Sequence, residues 1–439
     1  MEPIRNALLI RGARVMDPES KFDEITDLLM GDGRILKIGA MAEDDLSALN
    51  IEKSSLQEMQ GKGLVAAPGF VDVHSHFRDP GFTHKEDILT GAEAAAAGGY
   101  TSIVLMANTK PTVDRVETLE YVLNKGKQTG IHIYSCANVT KNMDGKEQTD
   151  FSALYDAGAV GFTDDGKSLM DAALLEKAMK DAAALQVPVS LHEEDPAYIT
   201  LSGINRGKIS EQLGLGGADR MAEAVMVKRD IAIAIKTGAI LDVQHVSAKE
   251  TVDLIREAKK KYPQIHGEAT PHHFSLTEEA VLTYGTNAKM NPPLRTEEDR
   301  QAILAGIADG TLDMIATDHA PHSKEEKAVE FGKAPSGIIG LETAFSLAIT
   351  HLVKPGVIDL MTLLERLCYT PAKVYKLNAG FIREGGPADV VLFDPEARKT
   401  YYSFRSRSQN TPFARIPLFG EVECTICDGK VAYVRTMEA

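Results

Sequence analysis

Two histidines one residue apart, His74 and His76, close an apolar run in the stretch VDVHSHFRDPG. Side chains two residues apart on an extended backbone share a face, so both imidazoles can reach one ion. Alone, such a pair is weak evidence, because two histidines in a loop look the same. Its weight comes from recurrence: Asp164 and Asp165 follow the run VGF, His192 follows VPVSL, His245 follows ILDVQ, and Asp318 follows MIA. Imidazole and carboxylate suit zinc and its neighbours rather than magnesium or calcium. Four histidines and two aspartates exceed the roughly three protein ligands of one catalytic zinc. They fit two ions about 3.5–4 Å apart that share a bridging group. The TDDG motif offers that carboxylate from Asp164 or Asp165, leaving the other as an Asp-Gly turn residue. Such a metal pair activates water and polarises a carbonyl, which is the chemistry of amide hydrolysis.

A cation stands beside this set. Arg78 lies two residues past His76, and a guanidinium binds a carboxylate through two parallel hydrogen bonds. Asn108 follows another apolar run, TSIVL.

These residues need elements to hold them. Short apolar runs recur at 69–73, 101–105, 132–136, 160–162, 187–191, 240–244, 265–269 and 314–316. Helical patterns such as LLEKAMKDAAALQ and RMAEAVMVKRDIAIAIKTG lie between most of them. Eight strands alternating with helices predict an α/β fold, a (β/α)8 TIM-like barrel, with an open doubly wound sheet as the alternative. In such barrels the chemistry sits at the C-terminal strand ends, which is where the candidate residues fall. The two chain ends read differently. Short β segments split by Gly-Asp turns fill both, predicting a small composite β-sandwich from 1–67 and 375–439 around a barrel at 68–374.

Composition narrows the function. The net charge of −15 argues against nucleic acid, whose phosphates call for a basic face. No apolar run is long enough to span a bilayer, and MEPIRNALLI lacks the pattern of a secretory signal, so we expect a cytoplasmic protein. Cys424 and Cys427 form one CxxC without the second pair that a zinc ribbon needs, which reads as reduced thiols.

The strings HFRDPG, MANTKP, TDDG, EATPHH, MNPPLR and TDHAPH together resemble the dihydroorotases, type I bacterial class, of the amidohydrolase superfamily. The resemblance spans residues 68 to 340, although HxH and DHAP also occur in hydantoinases and allantoinases. It implies two Zn2+ per chain and interconversion of N-carbamoyl-L-aspartate and dihydroorotate in pyrimidine biosynthesis. By resemblance His74 and His76 bind the first metal, Asp165 bridges, and His192 and His245 bind the second. Asp318 touches the first metal and acts as acid and base. Arg78, Asn108 and His322 hold the substrate carboxylate, and Asn291 reads the ring amide with the backbone around Ser336 and Gly337. His272 and His273 are expected in supporting positions, and 322–337 as a lid. The resemblance leaves open a homodimer and association with aspartate carbamoyltransferase. Aspartate stands where many superfamily relatives carry a carboxylated lysine, a feature common in type I dihydroorotases. Two departures stand out: HEED with Glu193 replaces HCED, and Ser336 stands where many carry Phe. The alternatives are an allantoinase- or hydantoinase-like cyclic amidohydrolase, or an inactive partner of the carbamoyltransferase; inactive homologues lose ligands, and this chain keeps all six.

Overall fold

The structure is a computed structural model that describes residues 4, 6–49, 51 and 53–435. The N-terminal part contributes β1 (Ala7–Asp17), β2 (Phe22–Gly31), β3 (Arg34–Ile38), β4 (Leu56–Gln60) and β5 (Val65–Pro68). After Gly69 the chain enters the barrel with β6 (Phe70–Ser75), β7 (Tyr100–Leu105) and β8 (His132–Ser135). It continues through β9 (Pro188–Leu191), β10 (Ile240–Val243), β11 (Ile265–Ala269) and β12 (Met314–Ile315). The chain closes with β13 (Val390–Thr400), β14 (Pro417–Cys427) and β15 (Lys430–Val434).

β6–β8 pair in parallel, as do β9–β12. One short parallel bridge joins the two sets, because Phe162 pairs with both Ala137 and Val189. The ring closes where Ser75 pairs with His319 and the His76 amide donates to the His319 carbonyl at 2.9 Å. The barrel is therefore complete, with the run at 160–162 reduced to a bridge. Its strands are buried on both faces, so they read as continuous apolar runs rather than alternating ones. The helices Ala172–Leu185, Met221–Thr237 and Lys249–Lys259 lie where the helical patterns fall. Asp171 caps the first of them by accepting from the Ala173 and Leu174 amides.

The chain ends form one eight-stranded sheet in the order β15-β14-β13-β5-β1-β2-β3, with β4 on β1. The sheet curls on itself. Ile35 of edge strand β3 exchanges backbone hydrogen bonds with Gly385 and Gly386, and a Cβ at Gly33 would lie 3.7 Å from the Asp428 carbonyl. Leu8, Ile10, Leu28, Met30, Val390, Leu392 and Ile426 fill the enclosed core. Residues 401–413, between β13 and β14, leave this sheet and run along the barrel mouth. There Glu342 accepts from the Arg405 and Ser406 amides, and the Ser408 hydroxyl donates to the Lys85 carbonyl.

Candidate active site

The strand ends converge on a cavity of about 210 Å3 lined by His76, Arg78, Asn108, Asp165, His192, His245, Asn291, Asp318, His322, Ser336 and Gly337. Of the residues singled out for the site, His74 alone is missing from its wall; it is fully buried behind it. Arg78, His245 and Asp318 all have positive φ, at 59°, 33° and 46°. Non-glycine residues hold that conformation only where the surroundings impose it. Here it turns each side chain from the strand end toward the mouth.

Two donor triads share one carboxylate: His74, His76 and Asp165, and Asp165, His192 and His245. Asp165 oxygens lie 3.6 Å from His74 Nε2, 3.5 Å from His76 Nε2, 3.9 Å from His192 Nδ1 and 3.6 Å from His245 Nε2. Asp318 Oδ1 lies 3.1 Å from His76 Nε2 and 3.7 Å from His74 Nε2. Ligands about 2.0–2.2 Å from a tetrahedral ion are separated by roughly 3.3–3.6 Å, so these spacings suit metal binding. Asp164 points elsewhere: it accepts from the Val139 and Thr140 amides and from Asn138 Nδ2. Lys167 donates to the Met143 carbonyl, away from the cluster. Burial works against ionisation of Asp318, but the hydrogen bond from His76 and the charges of His74, His76 and His245 outweigh it. The carboxyl therefore stays far below its ordinary range.

Three of the four imidazoles are oriented from behind, while His245 Nδ1 is buried without a hydrogen-bond partner. His74 Nδ1 donates to Glu268 at 2.9 Å, His76 Nδ1 to Asn108 Oδ1 at 3.0 Å, and His192 Nε2 to Glu194 at 3.3 Å. With Nδ1 of His74 and His76 and Nε2 of His192 engaged in this way, loss of the other ring proton turns a lone pair inward on each of these three rings, as metal binding requires. His74 Nε2 consequently has no hydrogen-bond partner although it is buried, which is the condition a metal ion would relieve. Glu268 also accepts the His245 amide at 3.1 Å. Asp72 accepts from the Thr317 amide and hydroxyl at 2.9 and 2.6 Å, tying β6 to the residue before Asp318. The sequence reading missed Asp72 and Glu268. Their signal was present, an acid inside an otherwise apolar strand run.

The opposite wall is built from loops. Arg78 Nε donates to the Pro321 carbonyl at 3.3 Å, and its Nη2 lies 3.5 Å from His322 Nε2. Among the described residues it meets no carboxylate within ion-pair distance. His322 Nε2 donates to the Ser336 carbonyl at 2.8 Å, leaving Nδ1 to accept from Lys85 Nζ at 3.3 Å. Burial and the charges of Arg78, Lys85 and Lys327 lower its pKa to about 2, so the ring is neutral. Asn291 Oδ1 accepts from Ser202 at 2.7 Å. Asn108 Nδ2 donates to Asp165 Oδ2 at 3.0 Å, so its amide already spans His76 and Asp165. Gly337 has φ +108° and a Cβ there would lie 2.5 Å from that of Ala320, so only glycine fits. The 322–337 segment is held down by Lys327 Nζ on the Pro335 and Gly337 carbonyls and by Lys289 Nζ on that of Phe331. Asn410 is a further residue the sequence reading missed. It accepts the His322 amide at 3.1 Å and donates to the Ala320 and Gly337 carbonyls, each at 3.1 Å. Glu193 faces away from the site, toward Asp230; burial first and that carboxylate next raise its pKa well above the ordinary value. His272 is buried, and His273 supports the Asn291 loop through the Pro292 carbonyl at 3.0 Å.

Residues 63–251 match the family model described as dihydro-orotase-like. The chain is 51% identical to the dihydroorotase of Clostridioides difficile over 97% of this chain and 99% of that protein. It is 48% identical to that of Clostridium acetobutylicum at the same coverage. The chain belongs to the dihydroorotase family. Members are hydrolases acting on cyclic amide bonds, and the His and Asp clusters of this one are of a kind that binds metal. Its fold is also that of the L-hydantoinase (dihydropyrimidinase) from Arthrobacter aurescens, with a TM-score of 0.84 at 24% identity over 98% of this chain and 97% of that one. The dihydropyrimidinase of Brevibacillus agri superposes with a TM-score of 0.80 at 21% identity, over 97% and 94% of the two chains. No helix among the described residues is long and apolar enough to cross a membrane.

Proposed function

We propose that this chain interconverts N-carbamoyl-L-aspartate and dihydroorotate, using two zinc ions held by His74, His76, Asp165, His192, His245 and Asp318. Asp165 is the bridging ligand in this reading. The observation that carries the substrate choice is Arg78, a half-buried guanidinium beside the metal cluster with no carboxylate of its own. A hydantoin or dihydrouracil ring has no carboxylate to offer it. When bound, the metal ions supply a nucleophile at neutral pH and polarise the ring carbonyl. Arg78 binds the substrate carboxylate in its fork, with neutral His322 beside it and Asn108 at the edge of that set. Asn291 and the backbone at Ser336 and Gly337 face the ring amide and fix its orientation. Asp318 takes a proton from the attacking water and hands it to the leaving ring nitrogen. We further assign 68–374 as the hydrolase unit and the two chain ends as its supporting sheet unit.

The test is a substrate panel with parallel metal quantification. We expect dihydroorotate to be hydrolysed far faster than hydantoin, allantoin or dihydrouracil, with two zinc ions per active site. Faster turnover of allantoin or hydantoin would overturn the reading.

A further inference from the structure

A second set of ligand-type side chains lies far from the mouth, where the barrel meets the terminal sheet. His132 is the first residue of β8, Asp389 immediately precedes β13, and Cys427 ends β14. Each offers one ligand atom, and the three atoms lie within 4.8 Å of one another. His132 Nε2 is 3.0 Å from Asp389 Oδ2 and 3.7 Å from Asp428 Oδ1. Cys427 is buried, and its thiol contacts the Thr101 carbonyl at 3.9 Å and also hydrogen-bonds with the Asp389 side chain.

We propose that His132, Asp389 and Cys427, completed by Asp428, form a structural zinc-class site that clips the barrel to the terminal sheet. Nitrogen, oxygen and sulfur donors together select zinc, cobalt or nickel rather than magnesium or calcium. The separations bracket the roughly 3.3–3.8 Å edges expected for four such ligands around a tetrahedral ion. The far oxygen of Asp389 accepts the Asp428 amide at 2.8 Å, which orients the carboxylate. Asp428, the most exposed of the four, lines an open cavity of about 500 Å3. The ligands come from three segments far apart in the chain, so one ion would close two long loops, where such a clip constrains the unfolded chain most. Binding expels the Cys427 proton and whatever proton His132 and Asp389 share; no electron moves.

The competing account is a plain His132–Asp389 ion pair beside a packed thiol. Cobalt separates the two, because none of the residues assigned to the catalytic cluster offers sulfur. Full-length protein, stripped of metal and titrated with Co2+ under reducing conditions, should develop a thiolate-to-cobalt charge-transfer band whose plateau intensity corresponds to one thiolate-bound ion per chain. Cys427→Ser should abolish the band and lower zinc content by one ion per chain while leaving dihydroorotate turnover unchanged. His132→Gln should weaken cobalt binding at that site at least tenfold. No band in the wild type, a band surviving Cys427→Ser, or one unmoved by His132→Gln would each overturn the proposal. Should Cys427→Ser fail to fold, the wild-type band and the His132→Gln shift decide it.

Discussion

The two walls of the active-site cavity are built on different principles. The metal-facing wall rises from strand ends, and three of its four imidazoles are fixed by an acid or amide one layer behind them. Glu268 holds His74, Asn108 holds His76 and Glu194 holds His192. The substrate-facing wall consists of loops braced from within by Lys327 and from distant segments by Lys289 and Asn410. Lys289 and Lys327 hold the 322–337 segment through its carbonyls, and Asn410 reaches in from between β13 and β14. On the proposed reading the rigid wall carries the chemistry and the loop wall the choice of substrate, so the two should respond differently to substitution.

The largest effect should come from the rigid wall. Asp318→Asn removes the proton acceptor but keeps the shape, and kcat should fall about 10^3-fold with KM little changed. Steady-state kinetics at matched metal occupancy check this; a kcat near wild type would remove Asp318 from that role. Glu268→Gln should lower zinc affinity about 10–100-fold by loosening His74, measured by competition with a chelator. On the loop wall, Asn410→Ala should raise KM for dihydroorotate about tenfold while kcat stays within about twofold, since it displaces His322 and Gly337 without touching the metals. An equal loss in kcat would show that the walls are not separable.

The smallest effect concerns Lys327. Burial first, and then the Lys289 charge, lower its pKa from 10.5 to about 7. Between those values the unfolded chain holds a proton that the folded chain has released, so stability rises with pH across that window. Lys327→Met cannot titrate, so its melting temperature relative to wild type should be highest near pH 6 and decline toward pH 10. Thermal melts of both proteins read this directly.

The same contrast explains what the sequence disclosed. Ligands at strand ends could be read because period-two geometry and barrel topology fix where a residue after an apolar run must point. His74, His76, His192, His245 and Asp318 all fall in that class. The resemblance already singled out Asp165 over Asp164, and the loop at 138–140 occupies Asp164. Asn410 was illegible because its partners lie at residues 320, 322 and 337, a tertiary contact with no local period. The run at 160–162 reads as a strand yet supplies one bridge at Phe162, since the chain turns at once into the TDDG loop. The terminal strands were readable as β, but their joining in one curled sheet depends on long-range pairing such as β5 with β13.

The division between the walls is tested most directly by measuring kcat/KM for dihydroorotate and for dihydrouracil, its analogue without the carboxylate, in wild type and Arg78→Met. A guanidinium paired with a buried carboxylate should favour dihydroorotate by about 10^3-fold or more in the wild type. We predict that Arg78→Met removes most of that preference by slowing dihydroorotate alone, with dihydrouracil turnover nearly unchanged. Equal losses on both substrates would contradict the account, because Arg78 would then serve the chemistry and not the choice of ring.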